Sequence, residues 1–479
     1  MPDVVDEAGA MELPVAETLE YAPSAREELL RRSTSSALMW LALPVLGEQV
    51  LNLMVGMTDF YLAGTIGKEA TAALGLGITV AWLIGLLFSF VGAGATALVS
   101  RFTGRGDMKG ANHFANQAIV ASALMGLVCL TLVQLAAPLL PPLLGWESEP
   151  ARMALTYLRV DAIGYLLMSV SAISFACLRG AGDTRAPLYV MAVVNIVNVV
   201  VSMALRFGWG PIPELGFVGI VTGTVVARTL GGLMVIRMLI RGRSGLRLRA
   251  GELRFRGESL ARLFRIGLPA GIDGILMWTA NFVFVAIISQ LGSGETQAAI
   301  VAAHFVGIRI EALSYLPAWA WATAAATMVG QSLGAGRPDR ARHSAHLAAL
   351  HGAGLCTLMG ILYFVFAEPI FAIFNSSGDM SAVSAVGVPA LRMLACFQIP
   401  LALMIIYPNA LRGAGDTRHP MLFTALSMFG LRIPLAYLFG VVLDGGLIGA
   451  WVGMCADMTL RAILNGLWFT LGRWQQVRV

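Results

Sequence analysis

One stretch of eight residues occurs twice in this chain. Residues 178–185 read LRGAGDTR, and residues 411–418 read LRGAGDTR again. Each copy follows a long apolar run and leads through a proline, Pro187 or Pro420, into another such run. Identical octapeptides at matching places in two halves indicate an internal duplication. Because the flanking runs are long enough to cross a bilayer, the stretch predicts a duplicated membrane domain with both octapeptide loops on the same side.

The composition of the chain supports a membrane location. Its 479 residues are 57% hydrophobic and only 13% charged, whereas soluble domains carry about 25% charged residues. The apolar runs are continuous and lack the two-residue alternation of a membrane β-barrel. Since a bilayer tolerates only helices or closed barrels as spanning structures, the predicted fold class is an all-α membrane protein.

Hydropathy predicts twelve transmembrane helices, six in each half, with about 20 apolar residues needed for each. The expected spans are residues 36–62, 70–99, 111–140, 153–177, 187–207, 216–240, 266–291, 297–332, 343–374, 384–411, 420–442 and 446–471. We expect an N-terminal lobe at 36–240, a basic linker at 241–265 and a C-terminal lobe at 266–472, with tails at 1–35 and 473–479.

Basic residues are concentrated in every second loop, in the linker and near both termini, while the alternate loops hold mostly acidic residues. Because positively charged loops stay on the cytoplasmic side, both termini are predicted to be cytoplasmic. The protein is accordingly expected to be a multi-pass protein of the cytoplasmic (inner) membrane. The net charge of +5 is explained by these loops and requires no nucleic acid partner.

The two halves match beyond the octapeptide. Residues 43–49 (LPVLGEQ) align with residues 268–274 (LPAGIDG), which pairs Glu48 with Asp273, each four residues after a proline. An even number of spans in each half gives parallel repeats, related by a pseudo-two-fold axis along the membrane normal. Two such lobes leave a central cleft between them, which is the geometry of alternating access.

On these residues the chain resembles the multidrug and toxic compound extrusion (MATE) transporters, over nearly all of its length after the N-terminal tail. The motifs that carry the resemblance are LALPVLGEQVLNLMVGMTDFYLAGTIG, CLRGAGDTRAP, IEALSYLPAWAWATAAATMVGQSLGAG and ALRGAGDTRHP, in that order along the chain. The resemblance implies two six-helix lobes around a V-shaped cleft, usually in a monomer. It also implies cation-driven export of amphipathic, often cationic, organic compounds.

Ionisable residues inside the spans are the candidate coupling groups, because a charge in the hydrocarbon region is costly and is commonly functional. Asp59, near the outer end of the first span, matches the first-span aspartate that many MATE proteins use in proton or sodium coupling. The alternative is that it only hydrogen-bonds at the outer interface. Glu48 and Asp273 are expected either to bind ion or substrate, or to satisfy backbone donors beside a proline-broken helix.

Span five contributes Asn198 and Ser202, one helical turn apart. Asn198 is a candidate hydrogen-bond partner of Asp59, or a residue that only fastens helices together. Ser202 stands where archaeal members of the family have an aspartate. Met277 and Leu401 occupy second-lobe positions where members of the family, some of them sodium-coupled, carry carboxylates. These departures favour protons over Na⁺ as the coupling ion.

A cavity for varied compounds should be apolar and adaptable, because methionine repacks around different ligands and aromatic faces attract cations. The expected lining residues are Met57, Met277, Trp278, His304 and Trp319. Packing is the alternative for each of them, and a lone histidine within a span is commonly a packing residue.

Two further pairs of charged residues are expected to be structural. Asp183 and Asp416, in the two octapeptides, precede helix starts and are predicted to cap them and to take part in gating. Arg432 and Asp457 are expected to be interhelical partners.

The predicted function is a secondary antiporter that exports small drug-like molecules without a cofactor, with membrane lipids as its surroundings. An alternative is a lipid or lipid-linked sugar flippase of the same superfamily, which needs an arginine cluster within the spans, whereas only Arg309 and Arg432 stand clearly there. An enzyme is disfavoured because HExxH, GxSxG and paired catalytic aspartates are absent, so no catalytic residues or metal ligands are predicted. A channel stays open as an alternative, although duplicated lobes favour a moving transporter.

Overall fold

The computed structural model describes Leu29 and residues 31–373 and 381–477. Most of the predicted N-terminal tail therefore lies outside the described residues, whereas residues 473–477 of the predicted C-terminal tail are described. Within the described part of the chain every regular element is helical. Ten of these helices are long and apolar enough to cross a membrane, and two bent helix pairs bring the number of candidate spans to twelve. The predicted all-α membrane fold is confirmed.

The first lobe consists of the helices α1 to α6, and the second lobe of α7 to α12. The first-lobe helices are α1 (Thr34–Gly64), α2 (Lys68–Arg105), α3 (Met108–Ala136), α4 (Ser148–Ile163 and Tyr165–Gly180), α5 (Arg185–Phe207) and α6 (Phe217–Ile240). The second-lobe helices are α7 (Gly257–Ile288), α8 (Gly294–Gly334), α9 (Pro338–Val365), α10 (Ser381–Ala395 and Gln398–Ala414), α11 (Arg418–Val442) and α12 (Gly446–Leu471).

The bends repeat the internal duplication. Both α4 and α10 are bent midway, by 51° and 57° respectively. Each bent helix then ends in a copy of the octapeptide, and the next helix begins at the last residue of that copy, Arg185 or Arg418. We call the end of the molecule that carries both octapeptides the motif end, and the opposite end the far end.

The turn between α2 and α3 shows how the sequence sets helix boundaries. Gly106 ends α2 in the left-handed conformation, with φ of 82°, which glycine adopts without steric cost. The next residue, Asp107, accepts a hydrogen bond from the Gly110 amide at 2.9 Å and caps α3. Two residues are therefore enough to reverse the chain.

Helix α7 begins at Gly257, inside the segment that the sequence predicts as linker (241–265). Its first turns carry the charged residues Glu258, Arg262 and Arg265, which a hydropathy window excludes from a span. The same turns bury Leu260 and Leu263. The helix is thus amphipathic beyond the apolar segment.

Helices α1 and α7 each cross from one lobe to the other. The first half of α1, from Ala37 to Val45, packs into the apolar core of the second lobe. Its last turns, including Leu62, pack into the first lobe. Conversely, Leu263 near the start of α7 belongs to the first-lobe core, whereas Phe284 near its end belongs to the second. The two lobes therefore exchange half-helices.

Glycines let the lobes approach each other closely near the motif end. A Cβ at Gly267 of α7 would collide with the carbonyl oxygen of Phe90 in α2, and a Cβ at Gly104 of α2 would collide with the backbone of Gln331 in α8. Because these obstacles are backbone atoms, no side-chain movement would relieve them. Towards the far end, α2 and α7 remain in contact through Trp82 and Trp278, whose ring centroids are 6.4 Å apart.

Candidate functional site

A buried polar cluster surrounds Asp59 in the first lobe. The carboxylate is only 3% exposed. Its Oδ2 accepts a hydrogen bond from the Thr224 hydroxyl of α6 at 2.8 Å, and its Oδ1 accepts one from the Asn198 amide of α5 at 3.3 Å. The predicted proximity of Asp59 and Asn198 is confirmed. Thr224 was not among the predicted site residues.

The donors of this cluster have alternative acceptors. The Thr224 hydroxyl also lies 3.3 Å from the Ile220 carbonyl, and the Asn198 amide lies 3.4 Å from the Ser202 hydroxyl. The other end of the same amide, Asn198 Oδ1, is buried and accepts no hydrogen bond within the described structure. A buried acceptor without a donor costs free energy. The cluster therefore has room for one more hydrogen-bond donor.

The next buried carboxylate of the first lobe is already neutralised. Asp161 of α4 forms an ion pair with Arg228 of α6 at 2.9 Å. Arg228 lies one turn beyond Thr224, which places this pair beside the Asp59 cluster. Asp161 therefore belongs to a structural ion pair. Asp59 differs from it, because no ion pair to Asp59 exists among the described residues.

Glu48 and Asp273, the two carboxylates that follow a proline by four residues, each pair with an arginine of an octapeptide. Glu48 accepts two hydrogen bonds from Nη1 of Arg179, at 2.8 and 3.0 Å. Asp273 forms the equivalent ion pair with Arg412. The two pairs obey the pseudo-two-fold symmetry of the repeat. Each carboxylate thus has an arginine side chain as its partner, in place of the backbone donors that the structural alternative expected.

The same octapeptide residues join the two lobes. The Thr327 hydroxyl of α8 donates to the carbonyl of Arg179 at 3.0 Å, and the Gln331 amide donates to the carbonyl of Gly180 at 2.9 Å. Since α8 belongs to the second lobe and the acceptors belong to the first, these bonds close the motif end.

The octapeptide aspartates cap the following helices, as predicted. Asp183 accepts hydrogen bonds from the backbone amides of Arg185 and Ala186 and forms an ion pair with Arg243 at 2.7 Å. Burial alone would raise the pKa of Asp183, but hydrogen bonds from Ser244, the Ala186 amide and Arg243 outweigh it and lower the pKa below its ordinary value. In the second copy, Asp416 accepts a hydrogen bond from the His419 backbone amide at 3.4 Å and also contacts the His419 ring and the Trp468 indole.

A second buried charge cluster lies inside the second lobe. Asp457 forms a two-fold hydrogen-bonded ion pair with Arg461, at 2.9 and 2.7 Å, and a longer one with Arg432 at 3.9 Å. The predicted Arg432–Asp457 contact is confirmed. Arg461 was missed, although its spacing of four residues from Asp457 is a known helical pairing signal. Glu311 lies 2% exposed, with Oε1 accepting no hydrogen bond from the described residues.

The predicted cavity residues separate into exposed and buried ones. Met57 is 62% exposed and Trp319 39%, while Met277 and Trp278 are half-buried. His304 is different, because it is only 4% exposed and accepts a hydrogen bond at Nδ1 from the Trp451 indole at 3.2 Å. In this conformation His304 packs inside the second lobe and offers no surface to the cleft.

A model of the MatE family matches residues 44–204 and again residues 269–438. The chain belongs to the MatE family. The two matched segments fall into the first and second lobes, so each lobe carries one MatE repeat.

Relatives of this MatE chain are named as a multidrug resistance protein and as a transporter. It is 30% identical over 462 residues to a probable multidrug resistance protein NorM of Thermotoga maritima, covering 95% of each chain. It is 27% identical to an FAD transporter of Shewanella oneidensis, covering 88% of this chain and 91% of that one. The chain is thus a multi-pass membrane protein of a multidrug efflux family.

Solved structures share its fold. A MOP superfamily transporter from Pyrococcus furiosus matches with a TM-score of 0.86 at 22% identity, over 93% of this chain and 97% of that one. An outward-facing multidrug resistance MATE family transporter matches with a TM-score of 0.86 at 21% identity, over 94% and 98% of the two chains. These matches confirm the twelve-helix fold.

Proposed function

We propose that this MatE protein is a secondary antiporter of the cytoplasmic membrane that exports amphipathic, often cationic, organic compounds in exchange for protons. Both termini lie on the cytoplasmic side in this proposal, so the motif end faces the cytoplasm. The observation that carries it is Asp59, a carboxylate buried in a spanning helix with neutral donors around it and no ion pair among the described residues. A charged side chain inside a membrane span is costly, and carboxylates kept there commonly take part in proton relays.

The hydrogen bonds suggest how a proton is coupled to movement. The ionised Asp59 holds α1 against α5 and α6, because it accepts one bond from each of these helices. Once protonated, the carboxyl needs an acceptor itself, and Asn198 Oδ1 is the orphan acceptor of the cluster. The Thr224 hydroxyl then turns to the Ile220 carbonyl, 3.3 Å away. Protonation thus releases the hydrogen bond between α1 and α6, while α1 stays bonded to α5.

Protons are favoured over Na⁺ because the cluster contains a single carboxylate. Ser202 supplies only a hydroxyl, which already donates to the Ile220 carbonyl at 3.3 Å. In the second lobe, Met277 and Leu401 bring no oxygen to the positions where related transporters carry acids. A hard cation prefers several oxygen ligands, and these substitutions reduce the number available.

The flippase alternative finds less support. A diphosphate headgroup requires several arginines facing the cleft, but Arg432 is buried, pairs with Asp457 and stacks on the Phe284 ring at 4.5 Å. The Arg432 guanidinium is therefore already paired inside the second lobe and is not presented to a phosphate group. An antiporter needs no such cluster.

The test is efflux of a fluorescent organic cation from proteoliposomes under an imposed proton gradient or an imposed sodium gradient. We expect proton-driven efflux in the wild-type protein and its loss in Asp59→Asn. The matched control is Asp444→Asn, because Asp444 is exposed and has a φ of 52° that asparagine also tolerates. Proton-driven efflux that survives Asp59→Asn would refute the coupling role, and efflux driven only by sodium would refute the choice of ion.

A further inference from the structure

One face of α8 runs from the lobe contact near the motif end to exposed residues towards the far end. Near the motif end this face carries Thr327, which is fully buried and bonded to the first lobe. Towards the far end, exposed or half-buried residues follow at intervals of three or four: Thr323, Trp319, Leu316, Leu313, Arg309 and Phe305. Contact gives way to exposure along one helix face, as expected where two lobes diverge.

Arg309 lies on this face. It precedes Thr327 by eighteen residues, which is five full turns at 3.6 residues per turn and about 27 Å along the helix. Its side chain is exposed, and no ion pair or hydrogen bond to it exists among the described residues. Glu311, two residues on, lies on the opposite face and is buried in the second lobe. This exposed face of α8 thus carries a positive charge that the described residues do not neutralise.

The neighbours of Arg309 on this face are apolar. Phe305 is 50% exposed and Leu313 44%, and each lies one helical turn from the arginine. A planar guanidinium with five donors recognises a carboxylate with two parallel hydrogen bonds. An aromatic ring and an aliphatic side chain beside it offer a surface for the apolar body of the same molecule.

We propose that Arg309 binds the carboxylate of zwitterionic aromatic substrates in the cleft. This inference rests on the proposed export function and names one preferred class among its amphipathic substrates, the compounds that carry a carboxylate. A single arginine suits a single carboxylate. It contributes to selectivity because the guanidinium forms two charged hydrogen bonds with a carboxylate and cannot form that bonded pair with an ester.

The competing role for Arg309 is an anchor to lipid phosphate at the membrane interface, as arginine often provides. The rotational position argues against it, because the face of Arg309 is the face that touches the first lobe at Thr327. The two roles also predict different experiments. An anchor affects every substrate alike, whereas a carboxylate receptor affects only substrates that have one.

The test compares two fluorescent rhodamines, one with a free carboxylate and the other its methyl ester, which differ by one methyl group and one unit of charge. Binding to purified protein is measured by fluorescence anisotropy, and export is measured in proteoliposomes. In Arg309→Gln we expect affinity for the carboxylate dye to fall about tenfold, the loss typical of a charged hydrogen bond, and affinity for the ester to change less than about twofold. Arg309→Lys should retain part of the preference, since lysine keeps the charge but not the fork.

The matched control is Arg237→Gln, which removes an exposed arginine from the last turn of α6. It should leave the binding of both dyes unchanged. Equal changes for the two dyes in Arg309→Gln, or none, would overturn the inference. Because anisotropy requires no gradient, a protein that binds the dyes selectively but exports neither would refute the proposed function and leave the Arg309 site standing.

Discussion

Breaking the ion pair between Glu48 and Arg179 should destabilise the protein measurably. The Glu48 side chain is 9% exposed and that of Arg179 21%. Removal of one partner from a fully buried pair costs about 3–5 kcal/mol. Water reaches the partly exposed guanidinium, so we expect a smaller loss of about 2–3 kcal/mol in the free energy of unfolding for Glu48→Gln and for Arg179→Gln.

The double variant distinguishes the pair from its two residues. If each single change leaves a buried partner unsatisfied, removing both should cost less than the sum, with a coupling energy of about 1–2 kcal/mol. The assay is equilibrium unfolding in mixed micelles with a rising fraction of sodium dodecyl sulfate, followed by circular dichroism. Glu149→Gln is the control, because the Glu149–Arg152 pair has side chains 49% and 74% exposed and should contribute nothing measurable. Single variants that unfold like the wild type, or strictly additive losses, would refute the reasoning.

Three further outcomes follow from the described contacts. Thr224→Val removes the hydroxyl that donates to Asp59 at nearly constant volume, so proton-driven efflux should slow about tenfold. The control, Thr222→Val on the same helix, should not slow efflux. Equal efflux in the two variants would contradict the role of Thr224. Asp183 has a lowered pKa, so its interactions stabilise the folded protein above the unfolded-state pKa and are lost as pH falls through the folded-state pKa. Asp183→Asn should therefore lower the melting temperature at neutral pH but not in acid, and a pH-independent difference would count against this. Gly267→Ala should lower the free energy of unfolding by about 1–3 kcal/mol, because the added Cβ meets backbone of the other lobe. Gly354→Ala, with open space around it, should leave that free energy unchanged or raise it by up to about 1 kcal/mol. Similar melting temperatures for the two variants would show that the lobes are not tightly apposed at Gly267.

The spans were predictable because hydropathy is a local property. Each of the twelve expected segments overlaps an observed helix or bent pair. The largest difference at a helix start is α7, where charged turns continue the helix to Gly257. A hydropathy window detects the apolar part of such a helix. It misses the amphipathic first turns, because only one of their faces is apolar and packs on the other lobe.

The contacts of Asp59 were predictable in part. Asn198 was recognisable because an amide within a span needs a partner. Thr224 was not, because threonine satisfies its hydroxyl within its own helix, as the short distance to the Ile220 carbonyl shows. Only the packing of α6 against α1 turns this hydroxyl towards the carboxylate.

The ion pairs of the octapeptides were within reach of the sequence. Glu48 and Asp273 occupy matching positions, and so do Arg179 and Arg412. Two carboxylates and two arginines that are duplicated together predict two equivalent ion pairs. The symmetry is also satisfied by the crossed pairs, so only the packing decides that Glu48 meets Arg179 and Asp273 meets Arg412. In contrast, the burial of His304 depends on the rotation of α8, which a single sequence does not reveal.

The exchange of half-helices between the lobes bears on how such a chain arose. An ancestral single copy, made alone, would have left the first half of its first helix without an apolar partner, as Ala37 to Val45 would be without the second lobe here. Two identical copies could have lent these halves to each other, in the manner of a swapped homodimer. Gene fusion would then have joined two subunits that were already inseparable. Expressed as separate polypeptides, the present halves should accumulate only when both are made in the same cell.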